Sequence, residues 1–67
     1  MISGDVGEDA GKIWRYLDQH GQSSFSAILK GAKLKQRAAD RAIGWLTREG
    51  KLEFGRDKNA ELISLLR

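Results

Sequence analysis

Residues 36–66, QRAADRAIGWLTREGKLEFGRDKNAELISLL, change their apolar period at Gly50. Before this glycine the apolar residues recur at steps of three and four, which is typical of the buried face of a helix. Directly after it they alternate with polar residues, which is typical of a half-buried strand. The segment therefore predicts a helix followed by a β-hairpin.

The helix of this segment, helix three, is expected from about Gln36 to Glu49, with Gly50 ending it. Lys35 is a poor capping residue and its charge opposes the helix dipole, so the sequence carries no capping signal at the helix start. The residues predicted to form the buried stripe are Ala39, Ala42, Ile43 and Leu46.

The hairpin is expected to bury one face of its first strand, which carries Leu52 and Phe54. Residues 56–60, RDKNA, are polar and form the turn, and Glu61 to Leu66 return as an apolar second strand. We expect this second strand to leave an open edge, which a partner strand could extend.

A first helix is predicted from Asp5 to His20, and Gly21 is the residue expected at a left-handed C-terminal cap. Glu8 and Asp9 suit the positive end of the helix dipole in its first turn. On a helical wheel the apolar stripe spans about 60°. The residues of that stripe are Val6, Ala10, Ile13 and Leu17.

Between helices one and three the sequence predicts two short elements. Ser23–Phe25 is too short to stand alone, but it can extend and pair with the later hairpin. Either Ser24 or Ser26 can cap helix two, which is expected to end at about Ala32. A turn from Lys33 to Lys35 then leads into helix three.

The composition predicts one small globular domain, residues 1–67, that acts in the cytoplasm. A hydrophobic fraction of 40% is too high for intrinsic disorder. The chain has no cysteine, which excludes disulfides and thiolate metal sites and fits a reducing cytosol. Residues 1–5, MISGD, lack the basic and apolar parts of a signal peptide, and no apolar run approaches the roughly 20 residues that span a bilayer.

The positive charge of the chain is concentrated in its middle. Residues 1–31 carry three basic and four acidic side chains, whereas residues 32–58 carry eight and four. The overall net charge is +3, and the middle segment alone contributes +4. A surface for a polyanion is therefore expected in helix three and the hairpin.

The predicted order is three helices followed by a C-terminal β-hairpin wing, with a short strand between helices one and two. This order predicts an α+β fold of the winged helix-turn-helix type. Residues 10–14, AGKIW, and residues 42–52, AIGWLTREGKL, resemble the small winged helix-turn-helix domains of the DUF2582 family. The resemblance covers nearly the whole chain. It implies a nucleic-acid-binding architecture without a target and supplies no catalytic residue.

The winged helix order makes the outward face of helix three the predicted contact with double-stranded DNA. With Ala39 at zero on a helical wheel, Arg37, Gly44, Arg41 and Arg48 fall between about 140° and 200°, opposite the core. Gly44 suggests either close approach by a partner or a tight helix crossing. The predicted DNA-binding residues are Lys33, Lys35, Gln36, Arg37, Arg41, Gly44, Arg48, Arg56 and Lys58.

A charged outer face is also compatible with simple solvation, and acidic residues are interleaved with the basic ones. They are Asp40, Glu49, Glu53 and Asp57. The alternative function is a protein-interaction or homodimerisation module that uses Trp45 as its interface anchor. Packing against the hairpin or helix one is the other interpretation of Trp45, and for Trp14 the core is favoured more strongly.

No enzyme, metal, cofactor or small-molecule substrate is expected. His20 is the one histidine of the chain, and at a helix C-terminus it is expected to interact with the helix dipole. Asp18, His20 and Ser23 are the side chains from which a catalytic group could be assembled, but no motif surrounds them. Binding is therefore predicted in preference to catalysis.

Overall fold

Three helices precede a β-hairpin in residues 6–66, the part of the chain that the computed structural model describes. The predicted α+β order, with a short strand between the first two helices, is confirmed. Met1 to Asp5 lie outside the described residues. The expected start of helix one at Asp5 and the expected lack of a signal peptide both rest on this segment. The elements are α1 (Val6–His20), β1 (Ser23–Ser24), α2 (Phe25–Ala32), α3 (Gln36–Arg48), β2 (Leu52–Asp57) and β3 (Ala60–Leu65).

Local capping explains where the first two helices end and where α2 begins. Gly21 adopts a φ of +79°, and its N–H donates to the Leu17 carbonyl at 2.8 Å, which closes α1. Of the two candidate caps for α2, Ser24 is the one used, because its Oγ accepts from the Ala27 N–H at 3.2 Å. Lys33 ends α2 in the left-handed conformation, with a φ of +58°.

Helix α3 starts without a side-chain cap, as its sequence predicts. Lys35 occupies the N-cap position and makes no capping hydrogen bond through its side chain. The helix ends at Arg48, and Glu49 forms its C-cap. Gly50 follows with a φ of +70°, so the chain turns there into the hairpin.

The three strands form one antiparallel sheet in the order β1-β3-β2. β3 is therefore the central strand, and the expectation of an open edge along Glu61 to Leu66 is wrong. Ser23 pairs with Ile63, so β1 occupies the edge of β3 that faces away from β2. The outer edge of the hairpin belongs to β2, because β2 is the last strand of the sheet.

The core lies where α1, α2 and α3 pack against one face of the sheet. Phe54 was expected in it, but its side chain is 44% exposed. Phe54 pairs with Ile63, so both side chains lie on the same face of the sheet. Ile63 is only 4% exposed because it lies on the central strand, whereas Phe54 lies on the edge strand. The buried apolar residues are Ala10, Ile13, Leu17, Ile28, Ala39, Ala42, Leu46, Leu52 and Ile63.

Candidate nucleic-acid interface

The arginines of α3 lie on the surface, on the side of the helix opposite its buried stripe. Ala39, Ala42 and Leu46 are buried, and Ile43 is partly buried against them. The side chains at the positions between these residues in the sequence stay in solvent. The exposed residues of this outward face include Arg37, Arg41, Gly44 and Arg48.

Gly44 opens a gap in the middle of this face. A Cβ built on Gly44 would meet no atom within 4 Å, so the glycine does not serve a tight helix crossing within the described chain. It borders a hollow of about 560 Å³. Thr47 also borders this hollow, and its hydroxyl donates to the Ile43 carbonyl at 2.7 Å, so the hydroxyl proton is used within the helix. The residues lining the hollow are Val6, Asp40, Arg41, Gly44, Trp45, Thr47 and Arg48.

The turn before α3 and the tip of the hairpin present the remaining predicted contacts. Lys33, Lys35 and Gln36 are exposed at or beside the start of α3. Arg56 and Lys58 are exposed in the hairpin. The turn places Lys58 at a φ of +58°, so both Lys33 and Lys58 hold a backbone conformation that favours glycine.

Acidic side chains share this surface, as the sequence indicates. Asp40 and Glu49 are exposed on or beside α3, and Glu53 and Asp57 are exposed in the hairpin. The nine predicted DNA-binding residues carry seven positive charges, and these four carboxylates offset part of that field. The surface therefore remains positive but has mixed charge.

Both tryptophans lie at the surface, so the expectation that Trp14 packs into the core is wrong. Trp45 lies beside residues of α1, so its packing against helix one and its role as an interface anchor both stay predictions. Trp14 is 39% exposed and Trp45 is 38% exposed. Trp14 lies about 100° around α1 from the buried Ile13, at the border of the apolar stripe. Ala10 on α1 and Ala42 on α3 are buried, whereas both indoles keep more than a third of their area exposed.

The two indoles border a second hollow of about 250 Å³ between α1 and α3. This hollow was not predicted from the sequence. On a wheel of α1, Gly7, Gly11 and Trp14 share one side, which was the available signal. The hollow is lined by Gly7, Ala10, Gly11, Trp14, Trp45, Leu46 and Lys51.

The candidate catalytic side chains have structural contacts. Ser23 Oγ donates to the Gly21 carbonyl at 2.9 Å, which supports the turn after α1. The His20 ring stacks on Tyr16, with ring centroids 4.3 Å apart and planes 29° from parallel. Tyr16 in turn lies against Gly31, where a Cβ would overlap the tyrosine ring. His20 is in the last turn of α1, where the helix dipole favours a cation.

Residues 6–66 contain no group of three or more histidine, cysteine, aspartate or glutamate side chains arranged to hold a metal ion. No helix within that range combines the length and the apolar character that crossing a membrane requires.

Comparisons with known proteins support the fold. The family model for the winged helix-turn-helix domain DUF2582 matches residues 1–65. The solution NMR structure of protein BT2368 from Bacteroides thetaiotaomicron is 30% identical in sequence, with a TM-score of 0.80, and the match covers 90% of this chain and 73% of that one. No curated protein sequence gave a match.

Two Zalpha domains of fish PKZ proteins share the fold at lower identity. The domain from Carassius auratus, crystallised in complex with Z-DNA, is 23% identical with a TM-score of 0.77, and the match covers 91% of this chain and 97% of that one. The apo domain from zebrafish is 24% identical with a TM-score of 0.84, covering 92% and 97%. The three helices and the wing therefore have the arrangement of a winged helix domain.

Proposed function

The chain belongs to the DUF2582 family of winged helix-turn-helix domains, and we propose that it binds duplex DNA through the outward face of α3 and the β2–β3 wing. In this role it acts as a transcription-regulator-like module in the cytoplasm, by binding and without catalysis. The observation that carries the proposal is the row of exposed guanidinium groups on α3 around Gly44.

Each part of this face has a physical reason to contact nucleic acid. Arg37, Arg41 and Arg48 offer planar donors that match phosphate oxygens or the major-groove edge of guanine. Gly44 lets the backbone of α3 approach the duplex because no side chain stands in the way. Gln36, at the helix start, can pair with a base edge through its amide.

The lysines and the wing act mainly on the phosphate backbone. Lys33 and Lys35 flank the start of α3, where phosphate contacts would fix the register of the helix in the groove. Arg56 and Lys58 would contact the adjacent backbone from the hairpin. The Zalpha complex with Z-DNA supports a nucleic-acid role for this fold, and it makes left-handed DNA a necessary second probe beside an ordinary B-form duplex.

The direct test is duplex binding by fluorescence anisotropy at low salt, with a B-form duplex and a left-handed duplex as separate probes. Replacing Arg37, Arg41 and Arg48 together by alanine should reduce affinity by about a thousandfold or more, since each charge-assisted contact contributes about 1.5 kcal/mol or more and about 1.4 kcal/mol corresponds to a factor of ten. No detectable binding of either probe by the unaltered protein would refute the proposal.

A matched control variant tests whether binding depends on the α3 face or only on the net charge of the protein. The triple variant Lys12→Ala, Arg15→Ala, Lys30→Ala removes the same three positive charges from α1 and α2. It should retain most of the affinity, because these side chains lie outside the α3 face. If both triple variants lose affinity equally, the binding follows net charge alone and α3 has no special role.

A further inference from the structure

The two exposed tryptophans form one continuous surface with the outward face of α3. Trp45 borders both hollows, the one of about 250 Å³ beside Trp14 and the one of about 560 Å³ beside Gly44. Each indole leaves roughly 90 Å² in contact with solvent, from its exposed fraction and the full area of about 250 Å² for a large aromatic side chain. We call the two hollows together the Trp14–Trp45 surface.

The floor of this surface is made largely of small residues on α1. A Cβ added at Gly11 would meet only one atom within 4 Å, a terminal nitrogen of the Arg15 side chain at an ordinary contact distance of 3.8 Å, so Gly11 has room for a larger side chain. Ala10 and Leu46 close the bottom beside it. An inserted side chain would therefore meet two indole walls and an apolar base, which is the kind of pocket that anchor residues of protein interfaces fill.

The rim of the surface is mainly basic. Lys51 borders the smaller hollow, and Arg41 and Arg48 border the larger one. Asp40 is the one acidic side chain among the lining residues of both hollows. A ligand that covers this surface needs an apolar centre and negatively charged flanks.

From this combination we propose that the Trp14–Trp45 surface docks an acidic segment of a partner protein, which inserts an apolar side chain between the two indoles. The apolar anchor fills the space above Gly11, and the carboxylates of the segment lie beside Lys51, Arg41 and Arg48. This adds a protein-docking activity to the DNA-binding face.

Charge argues against a second copy of this chain as the occupant. A two-fold interface brings the same patch of both copies together. It would set Arg41, Arg48 and Lys51 against a second set of the same cations, with one Asp40 per copy to offset them. An acidic segment meets the same rim with opposite charge, which favours its encounter and its orientation.

The probe is a synthetic helical peptide of about 14 residues with leucine at positions i, i+3, i+4 and i+7 and glutamate elsewhere. The chain has two tryptophans, so its indole N–H groups give two NMR signals, one on each wall of the smaller hollow. We expect both signals to shift saturably with the acidic peptide and not with a matched peptide carrying lysine in place of glutamate. Absence of saturable shifts would overturn the proposal.

Gly11→Gln is the decisive variant, because it fills the hollow while keeping both indoles and adds a better helix former. It should fold at least as stably as the unaltered protein and weaken peptide binding at least tenfold. Peptide binding unchanged by Gly11→Gln would overturn the proposed position of the anchor. Trp14→Ala should give the same loss by removing one wall, and its thermal melt shows whether the fold is kept.

Three further results would reassign the surface and so overturn the proposal. Indole signals that move with protein concentration alone would indicate a second copy as the occupant. Indole signals that shift on removal of residues 1–5, with no saturable peptide binding before or after the removal, would indicate the chain's own start as the occupant. Loss of duplex binding in Gly11→Gln, with peptide binding unchanged, would assign the surface to nucleic acid.

Discussion

Raising the salt concentration from about 50 to about 200 mM should weaken duplex binding by roughly four orders of magnitude if every predicted cation contacts a phosphate. Each neutralised phosphate contributes about −0.9 to the slope of log affinity against log salt, because bound counterions are released. Seven cations give a slope of about −6, and a fourfold change in salt then changes affinity about 10⁴-fold. The seven are Lys33, Lys35, Arg37, Arg41, Arg48, Arg56 and Lys58.

The triple alanine variant of the three α3 arginines leaves four of these cations. Its slope should fall to about −3.6, so the same change in salt should weaken binding only about 150-fold. The assay is fluorescence anisotropy of a labelled duplex titrated at four or more salt concentrations. A slope that the three substitutions leave unchanged would refute the placement of α3 against the backbone, whatever the affinity at one salt concentration.

Three substitutions test the local geometry by chemical denaturation. Gly44→Ala should raise the free energy of unfolding by about 1 kcal/mol, because alanine is the better helix former and its methyl meets nothing within 4 Å; a loss of stability would contradict the open position of Gly44. Lys33→Gly should also stabilise the fold, by about 1 kcal/mol, since glycine adopts the left-handed backbone at a φ of +58° without strain. The same substitution should weaken duplex binding because it removes a cation. A destabilised variant would count against the left-handed conformation of Lys33. Gly31→Ala should lower the free energy of unfolding by about 1–3 kcal/mol, because its methyl overlaps the Tyr16 ring; an unchanged midpoint would show that the ring moves aside without cost.

The order of elements could be predicted from the sequence because each boundary has a local cause. The apolar period changes at Gly50, and Gly21 and Gly50 adopt the positive φ angles expected of residues that end a helix. The cap of α2 is likewise local, because Ser24 Oγ needs only the N–H three residues later. Local chemistry of this kind does not depend on what the rest of the chain covers.

The burial of the large aromatics could not be predicted, because it depends on which neighbours cover a face. The wheel places Trp14 and Trp45 at the border of their stripes, but it does not show that the packing of α1 on α3 leaves both indoles more than a third exposed. The strand period places Phe54 on the same face as Leu52, but it does not show that Phe54 lies on the edge strand. In each case the sequence indicates which way a side chain faces, but only the structure shows which residues cover it.

The position of the candidate site was predicted more fully than its shape. The arginine positions on α3 follow from the helical period, whereas the hollows beside Gly44 and Trp14 arise from the packing of α1 on α3. Lys51 illustrates the difference, because the sequence indicates only that it is a polar residue of the alternating stretch after Gly50, whereas the structure places it beside Trp14. Residues that are distant in the sequence enter the site only through this packing.

Arg41 and Arg48 connect the two proposed activities. They belong to the face assigned to DNA, and they also border the hollow that the acidic partner would flank. A guanidinium held by a partner carboxylate is not available to a phosphate, so each ligand must lower the affinity of the domain for the other by the same factor. The smaller hollow beside Trp14 lacks these arginines, and a partner anchored there can begin to bind before the duplex leaves. Together the two proposals therefore predict that an acidic protein controls the occupancy of the proposed DNA-binding face by direct competition.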